Sequence, residues 1–191
     1  MLKFENVSFS FGEKKILSQF SFHLKKGEIL AIMGASGLGK TTLLNLSAGL
    51  KKPQDGQILC NAKKISYAFQ EPRLFPWLNV KENVNAVLSA KSDTNAVVLD
   101  ALRFVSLADS TELYPKELSG GMKSRVSLAR ALAHSGDLYL LDEPFAALDE
   151  ALKAELIQKL RSFFKDHGAS VLFVTHQRAD AEALADRILE L

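Results

Sequence analysis

The segment Gly34-Ala35-Ser36-Gly37-Leu38-Gly39-Lys40-Thr41 does most to narrow the folds open to this chain. It follows an apolar run, Ile29 to Met33, and opens a helical pattern from about Lys40 to Ala48 that Gly49, and Pro53 a little further on, bring to a close. A strand, a glycine-rich turn and a helix in that order are the setting of a phosphate-binding loop. Glycines let the backbone curl so that successive N–H groups point inward at phosphate oxygens, and the helix N-terminus adds partial positive charge. In such a loop Lys40 reaches the β- and γ-phosphates and Thr41 offers its hydroxyl to Mg²⁺.

The rest of the chain predicts the sheet that this loop needs. Leu2, Phe4, Val7, Phe9 and Phe11 predict an opening strand, Phe20 to Leu24 a second, and Lys26-Gly27 a turn into the run at Ile29. Asp55-Gly56 reads as a hairpin turn into Gln57 to Cys60, with Ile65 to Phe69 as a further strand. Between about Pro72 and Ala133 the pattern turns helical, at Val80 to Ser89, Asn95 to Val105 and Gly120 to Ala133, with a break at Tyr114-Pro115. A buried strand, Leu138 to Leu141, is followed by a long helix whose Leu148, Leu152, Leu156 and Leu160 recur every four residues. A strand at Ser170 to Val174, a short helix and a last strand ending at Leu191 complete the chain. Uniformly apolar strands separated by helices predict an α/β fold with a mostly parallel sheet covered on both faces.

Composition excludes several functions. The 191 residues fit one domain, or a core domain with a small insertion. With 24 basic and 22 acidic side chains the net charge is +2, so no basic excess exists to coat nucleic acid. Cys60 is the single cysteine; it cannot form an internal disulfide, which points to a reducing compartment, and it reads as a small buried apolar residue. No stretch approaches the roughly 20 apolar residues that span a bilayer. The N-terminus reads as a strand and not as a signal peptide, so a cytoplasmic protein is expected.

A second site is Leu138-Tyr139-Leu140-Leu141-Asp142-Glu143, an apolar strand with two carboxylates at its C-terminal tip, where ligands bind in open α/β sheets. Asp142 is placed to hold the Mg²⁺ shell, and Glu143 to orient and deprotonate a water attacking the γ-phosphate. A third is Leu118-Ser119-Gly120-Gly121-Met122, a serine hydroxyl and glycine amides opening a helix. With these three segments the chain resembles the ATPase subunits of ABC transporters over essentially its whole length. The resemblance implies a P-loop NTPase core with an N-terminal antiparallel β subdomain and a helical insertion, in a single domain 1–191. Within it, 1–71 and 134–191 form the nucleotide-binding core and about 72–133 the helical subdomain.

The family resemblance assigns further roles. Gly34, Ser36, Gly37, Gly39, Lys40, Thr41 and Thr42 hold ATP, and Ser119, Gly120 and Gly121 bind the γ-phosphate of ATP held by the other copy of a head-to-tail homodimer. The commonest family form has Gln where Met122 stands; the Met form resembles the nitrate, sulfonate and taurine importer group. Gln70 is similar to the glutamine that touches Mg²⁺ and the attacking water. Asp149, in Ala147-Leu148-Asp149, matches the segment that crosses the dimer interface, and His176 the histidine that contacts the γ-phosphate. His23, His134 and His167 have no such context and read as surface or structural. Phe11 resembles the aromatic that stacks on adenine, with Phe9 two residues away as the core alternative.

Leu74-Phe75-Pro76-Trp77-Leu78 places bulky apolar residues after Gln70, where exposure is costly. In the family this region receives a helix of the membrane subunit, and Gln70 to Leu78 is most similar to the same importer group. The implied function is an importer ATPase that uses ATP and Mg²⁺, works with two transmembrane permease subunits and, through them, a solute-binding protein, and lies on the inner face of the cell membrane. The alternative is a soluble ABC-type ATPase or nucleotide-gated interaction module; those branches carry coiled coils, zinc modules or paired cassettes, and this sequence has none. A catalytically weak regulatory cassette is discouraged by Glu143 and His176.

Overall fold

Alternation of apolar and polar residues sorts the first strand into two faces. The computed structural model describes residues 1–88 and 94–191. Strand β1 (Leu2–Phe11) buries Leu2, Phe4, Val7 and Phe9. Its alternation skips a residue near Asn6, whose φ is +51°, and the register to both neighbouring strands shifts there. Those neighbours are β2 (Lys14–Leu24) and β4 (Asp55–Cys60), both antiparallel to β1.

The Asp55-Gly56 hairpin expected from sequence does not form. Both residues begin β4, which pairs with β1, while β5 (Ile65–Ala68) joins a different sheet. Gly56, at φ +78°, serves a close strand approach: a Cβ there would lie 2.4 Å from the carbonyl oxygens of Glu5 and Asn6. Cys60 is exposed and not buried, because it ends β4, an edge strand along which Ile58 is half-buried against the core and the other residues are exposed.

The second sheet is parallel throughout, in the order β5-β6-β7-β3-β8, with β3 spanning Ile29–Met33, β6 Leu138–Asp142, β7 Ser170–Thr175 and β8 Arg187–Glu190. Strands β3, β6 and β7 are buried at every residue, as expected where both faces are covered. Leu30, Ile32, Leu138, Leu140, Leu172 and Val174 pack on one face with Leu43 and Leu44 of helix α1 (Lys40–Ser47) and the apolar side of the antiparallel sheet. Ile29, Ala31, Tyr139, Leu141, Val171 and Phe173 point the other way, into a core shared with the remaining helices. Each such side chain contributes about 1.5–3 kcal/mol on burial, which fixes the sheet as the rigid frame.

Those helices are α2 (Val80–Asn85), α3 (Asn95–Phe104), α4 (Gly120–His134), α5 (Glu150–Asp166) and α6 (Arg178–Leu184). Helix α2 is shorter than the predicted Val80 to Ser89: it stops at Asn85 in a turn, and Ser89 lies outside the described residues. At its start Asn79 and Glu82 cap each other, Asn79 Oδ1 accepting from Glu82 N at 2.8 Å and Glu82 Oε2 from Asn79 N at 2.9 Å. Leu148 sits in the turn before α5, so only Leu152, Leu156 and Leu160 of the predicted series are helical, and the last two are buried. Among the described residues no helix is long and apolar enough to cross a membrane. Because β3, β5, β6 and β7 run parallel, their C-terminal ends, and the loops that follow them, gather on one side of the sheet.

Candidate functional site

The loop after β3 turns sharply into α1. Gly39, at φ +94°, is required there twice over: the left-handed backbone disfavours a side chain, and a Cβ would meet Ile16 Cγ2 at 2.2 Å. Lys40 is buried and folds back over its own loop, its Nζ donating to Gly34 O at 2.7 Å and Ala35 O at 3.1 Å. The same Nζ lies 4.0 Å from Glu143 Oε1. Lys40 therefore stands between the loop and the second motif, at the tip of β6.

Asp142 ends β6, is 3% exposed, and its Oδ1 has no hydrogen-bond partner among the described residues. Burial holds its carboxyl above the usual carboxylate range, opposed by the Thr41 hydroxyl and Lys40 and reinforced by Glu143. An orphaned buried carboxylate oxygen beside a threonine hydroxyl fits a hard divalent cation, which takes oxygen ligands. Among the described residues no cluster of three or more His, Cys, Asp or Glu could hold a metal alone, so a cation here needs oxygens from a bound phosphate as well.

Glu143 has φ +48°, the left-handed region, and its N–H donates to Val174 O at 3.1 Å. The carboxylate is nearly buried, and His176, just beyond β7, donates from Nδ1 to Glu143 Oε2 at 3.0 Å. That contact fixes the imidazole tautomer, since a carboxylate only accepts.

A cavity of about 350 Å³ brings these residues together: Ser36, Gly37, Gly39, Lys40, Thr41 and Thr42 from the loop and α1, Asp142 at the end of β6 and Glu143 just beyond it, with Gln70 and Phe11. Depressions of about 600 and 700 Å³ elsewhere, lined by residues such as Lys3 and Glu5 or Lys26 and Asp137, gather no comparable set. Gly34 lies outside the lining and contributes its carbonyl to Lys40. Phe11 is 49% exposed whereas Phe9 is buried in the core, with the two rings edge to face at 5.0 Å. Lys14 and Ile16 also line the cavity; the sequence signal for them was proximity to Phe11, three and five residues along in the next strand after a turn.

Ser119, Gly120, Gly121 and Asp149 are not brought to this cavity. Ser119 caps α4, its Oγ accepting from Met122 N at 3.2 Å, and both Ser119 and Gly120 are exposed. Met122 packs against the core instead of offering a polar group. Gly121 passes so close to Ala147 that a Cβ would lie 2.5 Å from its carbonyl oxygen. Asp149 caps α5, accepting from Leu152 N at 3.0 Å, and is exposed.

Two arginines hold the chain beyond Gln70. Arg130 of α4 donates to Pro72 O at 2.5 Å and Arg73 O at 3.1 Å, and the Arg73 guanidinium sits 4.4 Å from the Phe69 ring centre. Burial pulls the Arg130 guanidinium below its usual value. Further on, Phe75 and Trp77 are 40% and 69% exposed, their ring centres 5.6 Å apart, while Leu74 packs on the core. The other histidines have local roles or none: His134 Nδ1 lies 3.1 Å from Ser66 Oγ, His167 donates from Nδ1 to Phe163 O at 2.8 Å, and His23 is exposed.

Residues 17–146 match the ABC transporter family. An aliphatic sulfonates import ATP-binding protein of Pseudomonas savastanoi is 42% identical over 98% of this chain and 72% of its own length. A protein of the same description from Pseudomonas putida is 43% identical over 94% of this chain and 68% of its own. A dimeric ATP-binding cassette in a post-hydrolysis state, bound to ADP and Pi, superposes with a TM-score of 0.92 at 31% identity, over 100% of this chain and 94% of that one. An ATP-binding subunit of an ABC transporter superposes at 0.89 with 26% identity, over 100% and 85% of the two chains. Matched in sequence across most of its length and in fold over all of it, the chain belongs to the ABC transporter family as one of its ATP-hydrolysing cassettes.

Proposed function

We propose that this chain is the ATP-hydrolysing subunit of an importer that takes up a sulfonate, nitrate, taurine or a related small solute. One observation carries the reading: Lys40, Thr41, Asp142 and Glu143, from two motifs far apart in sequence, line one cavity in which Glu143 is already held by His176. The sulfonate import relatives favour the solute class.

In this reading ATP lies along the loop, with Ser36, the glycine amides and Thr42 around its phosphates and Phe11 against the adenine. Lys40 leaves the Gly34 and Ala35 carbonyls to neutralise the β- and γ-phosphates. Thr41, Asp142 and Gln70 hold Mg²⁺, which when bound supplies charge neutralisation across the phosphates. Glu143 accepts a proton from the water whose oxygen attacks the γ-phosphorus, and ADP departs as the γ-bond breaks. As the imidazolium, His176 keeps the Glu143 carboxylate in position through Nδ1–H and donates from Nε2–H to the γ-phosphate.

Ser119, Gly120, Gly121 and Asp149 serve the site of a second copy, so two chains sandwich two nucleotides head to tail. Residues about 72–133 act as a helical subdomain against the core of 1–71 and 134–191. The exposed Phe75 and Trp77 meet one of two permease subunits, which a solute-binding protein supplies, on the cytoplasmic face of the membrane. No nucleic acid takes part.

Glu143→Gln tests the chemistry: ATP binding persists and turnover falls at least 100-fold; unchanged hydrolysis overturns the assignment. Purification from detergent-solubilised membranes tests the transport reading. Recovery with an integral membrane protein at two to two supports it, and recovery from the soluble fraction alone transfers the chain to the soluble ATPases.

A further inference from the structure

The first turn of α5 contains a buried cation that the proposed chemistry leaves without a role. Lys153 is 5% exposed, and its Nζ donates to Gln177 Oε1 at 2.8 Å and Glu150 Oε1 at 2.9 Å and lies 3.2 Å from Asp180 Oδ1. Three acceptors match the three N–H bonds of the ammonium. Asp180, in α6, is itself 3% exposed, so the pair is out of water. Such pairs are weak evidence for a stabilising role, since apolar residues of similar volume often serve stability as well or better. What the pair does provide is a fixed geometry between two turns.

One turn is the start of α5, capped by Asp149; the other contains His176. His176 is half exposed and, among the described residues, its side chain is held only at Glu143. Gln177, its neighbour, is tied at both ends: its N–H donates to Thr175 Oγ1 at 3.1 Å and its side chain accepts from Lys153.

We propose that Lys153 is a positioning residue that, by clamping Gln177 against α5, sets where His176 meets Glu143 and makes that contact answer to movement of the Ala147–Asp149 turn. The proposal rests on Glu143 and His176 acting as described above. Lys153 touches neither substrate nor reacting atoms.

The test compares full-length Lys153→Met, Lys153→Met/Asp180→Leu, Gln177→Leu and Lys153→Arg, measuring kcat, KM for ATP, thermal midpoint and the His176 ring ¹⁵N resonances in the nucleotide-free protein. Lys153→Met loses about 10-fold in kcat at unchanged KM, the size expected when a reacting group is displaced by a fraction of an ångström. The double variant recovers its thermal midpoint but not its kcat, Gln177→Leu loses kcat with its midpoint unchanged, and both shift the His176 resonances. Lys153→Arg keeps the charge and restores at least half of kcat. If the double variant regains full kcat together with its midpoint, or if Gln177→Leu turns over like wild type, the residue is structural and the proposal is overturned. Gln177→Leu leaves both charges in place and decides the matter if the double variant does not fold. Active Glu143→Gln overturns the underlying chemistry; inactive Glu143→Gln beside a fully active double variant overturns only the role of Lys153.

Discussion

Two adjacent carboxylates at the tip of β6 are each held at a cost to stability. Glu143 adopts a left-handed backbone, which for a residue of its kind costs about 1 kcal/mol or more. Glu143→Asn removes most of that strain, because asparagine tolerates this region. The expected result by calorimetry is a rise in thermal midpoint, about 2–4 °C for each kcal/mol in a chain this size, alongside loss of turnover. Asp142 carries the other cost. Burial raises its carboxyl above the unfolded value, so between those two values the folded state binds more protons, and stability falls as pH rises through that window. Asp142→Asn lacks this dependence. Its midpoint exceeds that of wild type at neutral pH, and the gap closes as pH falls below the ordinary carboxylate range. Lys40, Asp142 and Glu143 were legible because each lies in a contiguous motif whose spacing states its chemistry. Lys153 and Arg130 were not, since their partners lie 24 and 58 residues away and no local pattern announces them.

At the scale of elements, α2 owes its usefulness to a side chain on its inner face. Asn83 is fully buried; its Nδ2 donates to Phe75 O at 3.1 Å, Leu78 O at 2.8 Å and Asn79 O at 3.0 Å, and its Oδ1 accepts from Phe75 N at 2.9 Å. One amide thus fixes the loop that presents Phe75 and Trp77. Asn83→Ala strands Phe75 N and Leu78 O, since Phe75 O and Asn79 O keep the N–H groups of Leu78 and of residue 83 itself, and urea unfolding should show a loss of about 2–4 kcal/mol; the same variant should recover less membrane partner on purification. Apolar periodicity located β1 by its alternation, β3, β6 and β7 by the continuous apolar run that burial on both faces leaves, and the long helices by their apolar stripe. It failed at β4. Asp55-Gly56 has turn chemistry locally, but Gly56 is there to let the strand cross the bulge at Asn6, a partner 50 residues earlier. Cys60 followed the same error, since the sequence of an edge strand does not reveal that the core covers Ile58 and leaves the strand's end exposed.

At the scale of the molecule, the parallel sheet collects the ends of β3, β5, β6 and β7 into one site, while the cap of α4 at Ser119 stays exposed and outside it. In the proposed reading one copy holds two half-sites that do not meet, and a head-to-tail pair completes both. This was legible in part: the sequence gives two anion-binding segments, and only the geometry separates them. The most direct measurement is complementation between two inactive variants, Lys40→Ala and Ser119→Arg, each assayed for MgATP turnover alone and then as an equimolar mixture. In a head-to-tail pair the mixed dimer places both lesions in one site and leaves the other intact. The account predicts that each variant alone is inactive and that mixing restores about a quarter of wild-type turnover, half the dimers being mixed with one of two sites whole. A mixture as inactive as its components would contradict it.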